Sequence, residues 1–394
     1  MNKSKWSVLI ALTVIAVLTV ASAVAERVSK SESFTVKKGG TLVVEADNVS
    51  ADIHIKVWSK NEVLVKVDGL SEDDLEDLEM RESGNTVYVE YFGKGGRRHS
   101  RHARFVITVP SKFNLDLSTS GGDISVDDKL TGNIEAGTSG GDISVDDVDG
   151  TVELATSGGD ISVRTVSGNA EIATSGGDID VDDVKGSLEV ATSGGDIEVG
   201  NVGEDLEAAT AGGDIIVGDV GGKIDAATAG GDVEVGRVVG SANLRTAGGD
   251  IEVESATGEV SARTAGGDIR LANIEGFVDV ETAGGDIEVE LNPTGKRGSL
   301  LETKGGDIVL YIPASAKVTI EAEIRIHDGG HSWGWDDDDD EPDYGDEYEI
   351  LSDFKEESKD KDKRGIRAKY VLNGGGPRIE IETMHGDIEI RKSR

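Results

Sequence analysis

Residues 138–148, "TSGGDISVDDV", decide how this chain folds, because close copies of the stretch return along most of the sequence. The copies include "TSGGDIDVDDV", "TAGGDVEVGRV" and "TAGGDIRLANI". The aspartate after the paired glycines recurs at Asp123, Asp142, Asp160, Asp178, Asp196, Asp214, Asp232, Asp250, Asp268 and Asp286. After a first step of 19 residues every step is 18, and a fixed period of this kind indicates a repeat architecture.

Each 18-residue unit predicts two short strands and no helix. In residues 158–175, Ile161 and Val163 alternate with polar residues, and Ala170 and Ile172 do the same. This period of two is typical of β-strands. The paired glycines predict turns with backbone angles that other residues rarely adopt.

Stacking the units buries an apolar edge that one unit cannot bury alone, so the sequence predicts an all-β fold, a parallel β-solenoid with 18 residues per coil. The apolar positions of the second half of each unit repeat those of the first after nine residues. This echo favours a flattened roll of two sheets over a triangular helix. The crossover rule for parallel strands favours right-handed coiling.

The chain divides into five parts. Residues 1–25 combine lysines, an apolar run and "AVA", which favours a cleaved signal peptide over an uncleaved membrane anchor and predicts an exported protein with no later transmembrane segment. Residues 26–117 predict a β-rich N-terminal cap, and residues 118–326 the solenoid repeats. Residues 327–365 predict an acidic flexible insertion. Residues 366–394 restore the repeat phrase and predict the terminal solenoid coil.

Stacked units place the repeated aspartates in one column, with carboxylates about 4.8 Å apart. Unit charges at that spacing repel by roughly 1 kcal/mol in water and about 3.5 kcal/mol at an effective dielectric of 20. Either each aspartate caps the Gly-Gly turn and faces water, or the column associates weakly with Ca²⁺. The cation candidates are Asp123, Asp142, Asp160, Asp178 and Asp196, together with Asp336, Asp337, Asp338, Asp339 and Asp340 of the insertion.

Three further rows follow from the period. Glu135, Glu153, Glu171, Glu189, Glu207 and Asp225 predict a second acidic column on the other sheet. The recurring threonines, Thr138 to Thr282, are expected to point inward, where hydroxyls bond along the stack. The alanines Ala155, Ala173, Ala191, Ala209 and Ala227 are expected to face outward as a smooth strip.

Two smaller features stand outside the repeats. Lys94, Arg97, Arg98, Arg101 and Arg104 bunch between two predicted strands, either as a hairpin loop or as a site for an anionic partner. His327 and His331 are four residues apart without the other elements of a zinc motif.

Composition excludes several classes of function. The net charge of −37 argues against nucleic acid and anionic lipid as partners. The chain has no cysteine, which excludes thiol catalysis, disulfides and thiolate metal sites.

The order "SFTVKKGGTLVVEADNVSADIHIKVWSKNEVLVKV", "VITVPSKFNLDLSTSGGDISV", GD-centred repeats and "IETMHGDIEI" resembles the bacterial putative-adhesin family of β-strand-repeat proteins. That resemblance covers nearly all of the mature chain and offers no catalytic residues to carry over. We expect no cofactor beyond weakly associated Ca²⁺.

We therefore expect an exported, non-enzymatic scaffold or adhesin-like protein of the envelope or cell surface. Its expected partners are an envelope protein, a glycan or further copies of itself. The alternatives are a weak multi-site Ca²⁺-binding β-roll and a polysaccharide-active enzyme built on a β-helix.

Overall fold

The computed structural model describes residues 28–47, 49–92, 102–325, 348–362 and 364–393. Apart from one 3₁₀ turn at Asp74–Asp77, its regular elements are strands. Two 18-stranded sheets, here called sheet A and sheet B, face each other across one apolar core. The prediction of a parallel, two-sheet β-solenoid is confirmed.

The N-terminal part contributes eight strands. They are β1 (Val28–Thr35), β2 (Gly40–Asp47), β3 (Ser50–Trp58), β4 (Glu62–Leu70), β5 (Leu78–Ser83), β6 (Thr86–Phe92), β7 (His102–Pro110) and β8 (Phe113–Thr119).

The repeats alternate between the two sheets. In sheet A they are β9 (Ile124–Val126), β10 (Leu130–Thr131), β12 (Ile143–Asp149), β14 (Ile161–Val166), β16 (Ile179–Val184), β18 (Ile197–Val202), β20 (Ile215–Val217), β22 (Val233–Val238), β24 (Ile251–Ala256), β26 (Ile269–Gly276), β28 (Ile287–Pro293) and β30 (Ile308–Ile312). In sheet B they are β11 (Ile134–Thr138), β13 (Val152–Ala155), β15 (Ala170–Ala173), β17 (Leu188–Ala191), β19 (Leu206–Ala209), β21 (Ile224–Ala227), β23 (Ala242–Arg245), β25 (Val260–Arg263), β27 (Val278–Glu281) and β29 (Ser299–Glu302).

Six strands complete the C-terminal part. They are β31 (Val318–Arg325), β32 (Ile350–Ser352), β33 (Ser358–Asp362), β34 (Gly365–Leu372), β35 (Arg378–Thr383) and β36 (Ile388–Lys392).

Equivalent residues of successive repeats lie directly beside one another. Ile161 pairs with Ile143 and with Ile179, and Glu171 pairs with Glu153 and with Glu189. The side chains of Ile161, Val163 and Val166 are almost completely buried, as are their counterparts in the other coils. Burial of one apolar column per strand therefore fixes the register, since a slip of one residue would expose the whole column.

The predicted N-terminal cap is itself built from coils. Strands β2 and β3 pair in parallel with β8 and β9, and so continue both sheets of the solenoid. Strands β6 and β7 form the next coil outward. Because β8 is already a rung of sheet B, the predicted boundary after residue 117 falls inside a strand.

The C-terminal coil differs from the prediction in its position. Strands β35 and β36 lie between the β29–β30 coil and the β31–β32 coil. Residues 366–394 therefore do not form the outermost coil. Strand β31 takes that place and pairs antiparallel with β34, so the stack ends in a hairpin.

Part of the predicted flexible insertion over residues 327–365 forms strands. Residues 326–347, which hold Asp336–Asp340, His327 and His331, lie outside the described residues. Strand β32 pairs in parallel with β36, and β33 pairs antiparallel with β34. All five residues of β33 are exposed, so this strand lacks the apolar alternation by which strands are recognised.

Both ends of the stack carry features that discourage edge-to-edge association. Strand β33, "SKDKD", is short and charged at the free edge of sheet B. At the other end the antiparallel strands β1 and β5 border the coils. Short, charged edge strands are a common protection of exposed sheet edges.

Candidate functional site

The repeated aspartate bonds to the neighbouring coil rather than to its own turn. Oδ1 of Asp142 accepts a hydrogen bond from the backbone N–H of Asp160 at 2.9 Å, and Oδ1 of Asp160 accepts from Asp178 at the same distance. The series runs from Asp52 at one end to Asp387 at the other. The carboxylate therefore provides a hydrogen-bond acceptor for the backbone N–H of the next aspartate in the column, which lies in a turn and not in a paired strand.

Asp160→Ala is expected to lower the free energy of unfolding by about 1 kcal/mol, because the Asp178 N–H loses its acceptor. Asp160→Asn keeps a side-chain oxygen and removes one like charge from the column, so its stability should equal or exceed that of the parent. Urea unfolding midpoints compare the two variants. An equal loss in both would mean that charge, and not the acceptor, is what the position requires.

The threonine row points inward, as predicted. Thr156 is 6% exposed. Its hydroxyl donates to the carbonyl oxygen of Gly141 in the preceding coil at 2.9 Å and accepts from the N–H of Gly159 at 3.4 Å. The same pair of bonds recurs from Thr138 to Thr282. Each threonine thus binds the Gly-Gly turn of its own coil to the one before it.

Thr156→Val should cost about 1–3 kcal/mol of stability, since the methyl group leaves a buried carbonyl oxygen without its donor. Thr151→Val is the matched control, because Thr151 belongs to the same coil and is exposed. Thermal unfolding of the two single variants gives the comparison. A loss at Thr151 as large as that at Thr156 would contradict the assigned role.

The aspartate column and the predicted cation candidates coincide only in part. Asp123, Asp142, Asp160, Asp178 and Asp196 lie in one row with one oxygen each engaged by an N–H group. Within the described ranges no three His, Asp or Glu side chains come together in a group able to hold a metal ion. Weak Ca²⁺ association by this column stays a prediction.

A groove runs along the outer face of sheet B. It lies between two columns of exposed residues and has a volume of about 1010 Å³. One wall is the acidic column, here extended by one coil: Asp116, Glu135, Glu153, Glu171, Glu189, Glu207 and Asp225. The other wall is a row of polar turn residues: Asn114, Asn133, Thr151, Asn169, Ser187, Asp205, Lys223 and Ser241.

The acidic wall is unpaired over most of its length. Of its seven carboxylates, only Asp225 approaches a cation in the described structure, with 3.8 Å between its Oδ1 and Nη1 of Arg245. Beside the column, the predicted alanine strip lies exposed or half-exposed, as expected. The result is one long face of uncompensated negative charge bordered by small side chains.

The acidic wall ends abruptly. After Asp225 the same column continues as Asn243 and Ser261. The alanine row continues as Arg245 and Arg263, and Arg263 pairs with Asp279 and Glu281. Sheet B therefore has an acidic half toward the N-terminal end and a charge-compensated half beyond it.

The outer face of sheet A is less uniform. Its outward column runs Ser144, Ser162, Asp180, Glu198, Ile216, Glu234, Glu252 and Arg270. Acids near this side are partly paired: Arg164 contacts Asp147, Arg237 contacts Asp219, and Arg270 contacts Asp268. Among the described residues, Asp180, Glu198 and Glu234 of this column have no ion pair. The two faces of the solenoid thus differ in how regularly the acids recur, since serine, isoleucine and arginine interrupt the column of sheet A.

Two histidines on sheet A were missed by the sequence analysis. Nδ1 of His54 lies 2.5 Å from Oγ of Ser125, and its Nε2 lies 3.2 Å from Oδ2 of Asp127. His102 similarly contacts Ser50 and Asp52. The His54 contacts connect β3 with β9 and its following turn, and the His102 contacts connect β7 with β3. The order of strands along the chain does not show that these strands are neighbours in the sheet.

These sets resemble a nucleophilic Ser–His–Asp arrangement, which also requires free N–H donors for an oxyanion. Near Ser125, the Ile53 N–H donates to the Asp123 carbonyl and the Asp127 N–H to the Ile55 carbonyl. Both donors are thus engaged in sheet pairing. We interpret the histidines as links between the N-terminal coils and the repeats.

A network of charges covers sheet B at the C-terminal end. Glu382 faces Arg325, with Oε2 at 2.7 Å from Nη2. Burial raises the pKa of Glu382, the positive charge of Arg325 opposes the shift, and Glu323, Glu302 and Glu380 add to it. Several acids and arginines pair here, so this region lacks the uniform charge of the groove.

Of the predicted basic cluster, only Arg104 lies among the described residues, on β7.

The sequence matches the Toastrack DUF4097 family over residues 18–237 and 203–340. The chain belongs to this family. The resemblance proposed from the repeats is thereby confirmed. No functionally curated protein matches the chain at a significant level. Within the described part of this Toastrack protein, no helix is long and apolar enough to cross a membrane.

Solved structures similar to the chain carry related descriptions. A putative adhesin from Bacteroides fragilis is 16% identical, with a TM-score of 0.38, and covers 63% of this chain and 99% of its own. A putative cell adhesion protein from Clostridium sporogenes is 11% identical, with a TM-score of 0.18, over 93% and 100% of the two chains. A putative lipid binding protein from Parabacteroides distasonis is 15% identical, with a TM-score of 0.22, over 72% and 96%.

Proposed function

We propose that this Toastrack protein is an exported, non-enzymatic scaffold that binds an extended component of the cell envelope in the groove on sheet B. The observation that carries the proposal is the acidic wall, which repeats a carboxylate once per coil from Asp116 to Asp225 and has no ion pair among the described residues from Asp116 to Glu207. A surface that repeats at a fixed interval suits a partner that is itself long and regular.

Two features support binding rather than catalysis. Catalytic sites require an irregular constellation of groups within a concave pocket, whereas the groove presents equivalent residues in successive coils. The turns that border it are short and uniform, so the repeats supply no long loops to enclose a substrate.

Export is supported by the signal-like sequence of residues 1–25.

The absence of cysteine allows a direct test, because a single introduced thiol is the sole thiol of the chain. Thr151→Cys places it in the groove and Ser162→Cys places it on sheet A; both positions are exposed. Intact cells are treated with a maleimide that cannot cross the cytoplasmic membrane. We expect Ser162→Cys to be labelled in cells, and Thr151→Cys to be labelled fully only after purification.

Two results would contradict the proposal. Failure of both variants to react in cells, although they react once purified, would remove the premise of export. Equal labelling of both positions in cells and after purification would mean that nothing occupies the groove.

A further inference from the structure

The groove has the dimensions of a site for one extended chain. It spans eight coils, from Asn114 to Ser241, or about 34 Å at a strand spacing of about 4.8 Å. Its two walls stand two residues apart along each strand, which is about 6.6 Å. An α-helix with its side chains is about 10–12 Å wide, so the groove is too narrow for a helix and matches a single extended polymer.

The charge of the groove selects the sign of its partner. Six of the seven acids of the wall have no ion pair among the described residues, and Lys223 is the one cation that lines the groove. Like charges at this spacing repel one another, and a row of cations laid along them would relieve that repulsion. A polyanion would add to it, so acidic glycans and nucleic acids are excluded as occupants.

The wall opposite the acids favours a polypeptide over other linear cations. Asn133, Thr151, Asn169 and Ser187 present amide and hydroxyl groups along the groove. Oδ1 of Asn133 and of Asn169 each accept a backbone N–H of the next coil, and the Ser187 hydroxyl donates to Glu204. The asparagine NH₂ groups and the Thr151 hydroxyl therefore supply the bonds to the C=O and N–H groups that an extended main chain leaves unpaired. A polyamine has N–H donors but no carbonyl acceptor for the asparagine NH₂ groups.

The end of the acidic wall sets the length of the segment bound. Beyond Asp225, Asn243 replaces the acid and Arg245 stands beside it. The acidic wall from Asp116 to Asp225 covers seven coils, or about 29 Å, and an extended polypeptide advances by about 3.3 Å per residue, so about nine residues fill it. Alternate side chains of such a segment face the same side and reach the carboxylates.

We propose that the sheet B groove binds an extended polypeptide segment rich in lysine or arginine, about nine residues long, with its cationic side chains on the carboxylates of Asp116 to Glu207. This inference rests on the proposed function and names the chemistry of the partner.

The test uses fluorescence anisotropy of a labelled ten-residue peptide of alternating lysine and alanine, added to the purified chain at 150 mM salt. The groove variant is Glu153→Gln, Glu171→Gln and Glu189→Gln combined. The matched control is Asp180→Asn, Glu198→Gln and Glu234→Gln, which removes the same number of charges from the outer face of sheet A. Unfolding temperatures of the three proteins establish that each is folded.

We expect the groove variant to bind the peptide at least tenfold more weakly than the parent, and the control to change by less than twofold. An equal weakening in both variants would show that the chain acts as a general polyanion and would overturn the inference. Failure of the parent to bind below 1 mM would also overturn it.

A competition arm separates this inference from the proposed function. If spermine or a cationic amino-sugar polymer shields Thr151→Cys from a maleimide while the peptide does not, the polypeptide assignment is wrong. The groove would then still be a binding surface, and the proposed function would stand.

Discussion

Gly159→Ala is expected to destabilise the solenoid by at least about 3 kcal/mol. A Cβ atom at Gly159 would lie 2.0 Å from the carbonyl oxygen of Gly141 in the preceding coil. That contact is with backbone, so it cannot be relieved by rotating a side chain. Forcing extra volume into a packed interior commonly costs 1–3 kcal/mol, and backbone separation within a stack of paired strands adds to this. Urea or thermal unfolding measures the loss.

Gly158→Ala is the control for this substitution. A Cβ at Gly158 would approach no atom closer than 3.8 Å, and the residue is exposed. Its stability should stay within about 1 kcal/mol of the parent, with a gain permitted because alanine restricts the unfolded chain. Similar losses at both glycines would contradict the assignment of close packing to the second glycine alone.

Deletion of residues 378–394 is expected to convert the chain into assemblies much larger than those of the parent. These residues form β35 and β36, which lie between the β29–β30 coil and the β31–β32 coil. Without them the buried faces of Ile308, Leu301 and Ile320 lose their neighbours. Unpaired parallel strands with exposed apolar columns associate with other chains. Size-exclusion chromatography of the truncated chain reads out the effect.

Removal of the edge strand β33 of sheet B is the control for this deletion, because it leaves the internal coils intact. Replacing residues 355–362 by a Gly-Ser linker removes β33, which is fully exposed and pairs only with β34 in the described structure. That variant should elute at the same volume as the parent. If the truncated chain also elutes at the parent's volume with an unchanged unfolding temperature, the C-terminal coil is not an internal rung of the stack.

The repeats were predictable because the two-residue alternation and the 18-residue period of the sequence both indicate the same stacked β-structure. Alternation of apolar residues such as Ile161 and Val163 gives the strands, and the 18-residue return of Asp160 gives the coil. The inward threonines and outward alanines follow from parity alone. The acidic wall of the groove, from Glu135 to Asp225, was likewise predictable as a column. The opposite wall of polar turn residues was not predictable, because its position depends on the conformation of the turns.

The ends were not predictable to the same degree. Alternation in "RIEIET" shows which side chains of β35 face the core but not which strands lie on either side of it. Pairing choice is a long-range property, so the sequence order of coils was wrongly taken as their order in space. The same limit hid the contacts of His54 and His102.

The sequence analysis placed the paired glycines in turns correctly but gave the wrong physical reason for the requirement for glycine. The sequence predicted turns with unusual backbone angles, but none of the paired glycines of the repeats adopts a positive φ. The second glycine of each pair is required because its Cα lies against a carbonyl oxygen of the preceding coil. Close approach of neighbouring backbones is not visible in one repeat considered alone.

The central claim is that 18-residue coils stack in register, and spin-label distances test it most directly. Pairs of nitroxides on cysteines at Ala155 and Ala227, four coils apart, and at Ala155 and Arg263, six coils apart, lie in one outward row. Strand spacing predicts backbone separations of about 19 and about 29 Å. Narrow distributions that lengthen in this proportion are the expected result. Broad distributions, or equal distances for the two pairs, would contradict the stacked solenoid.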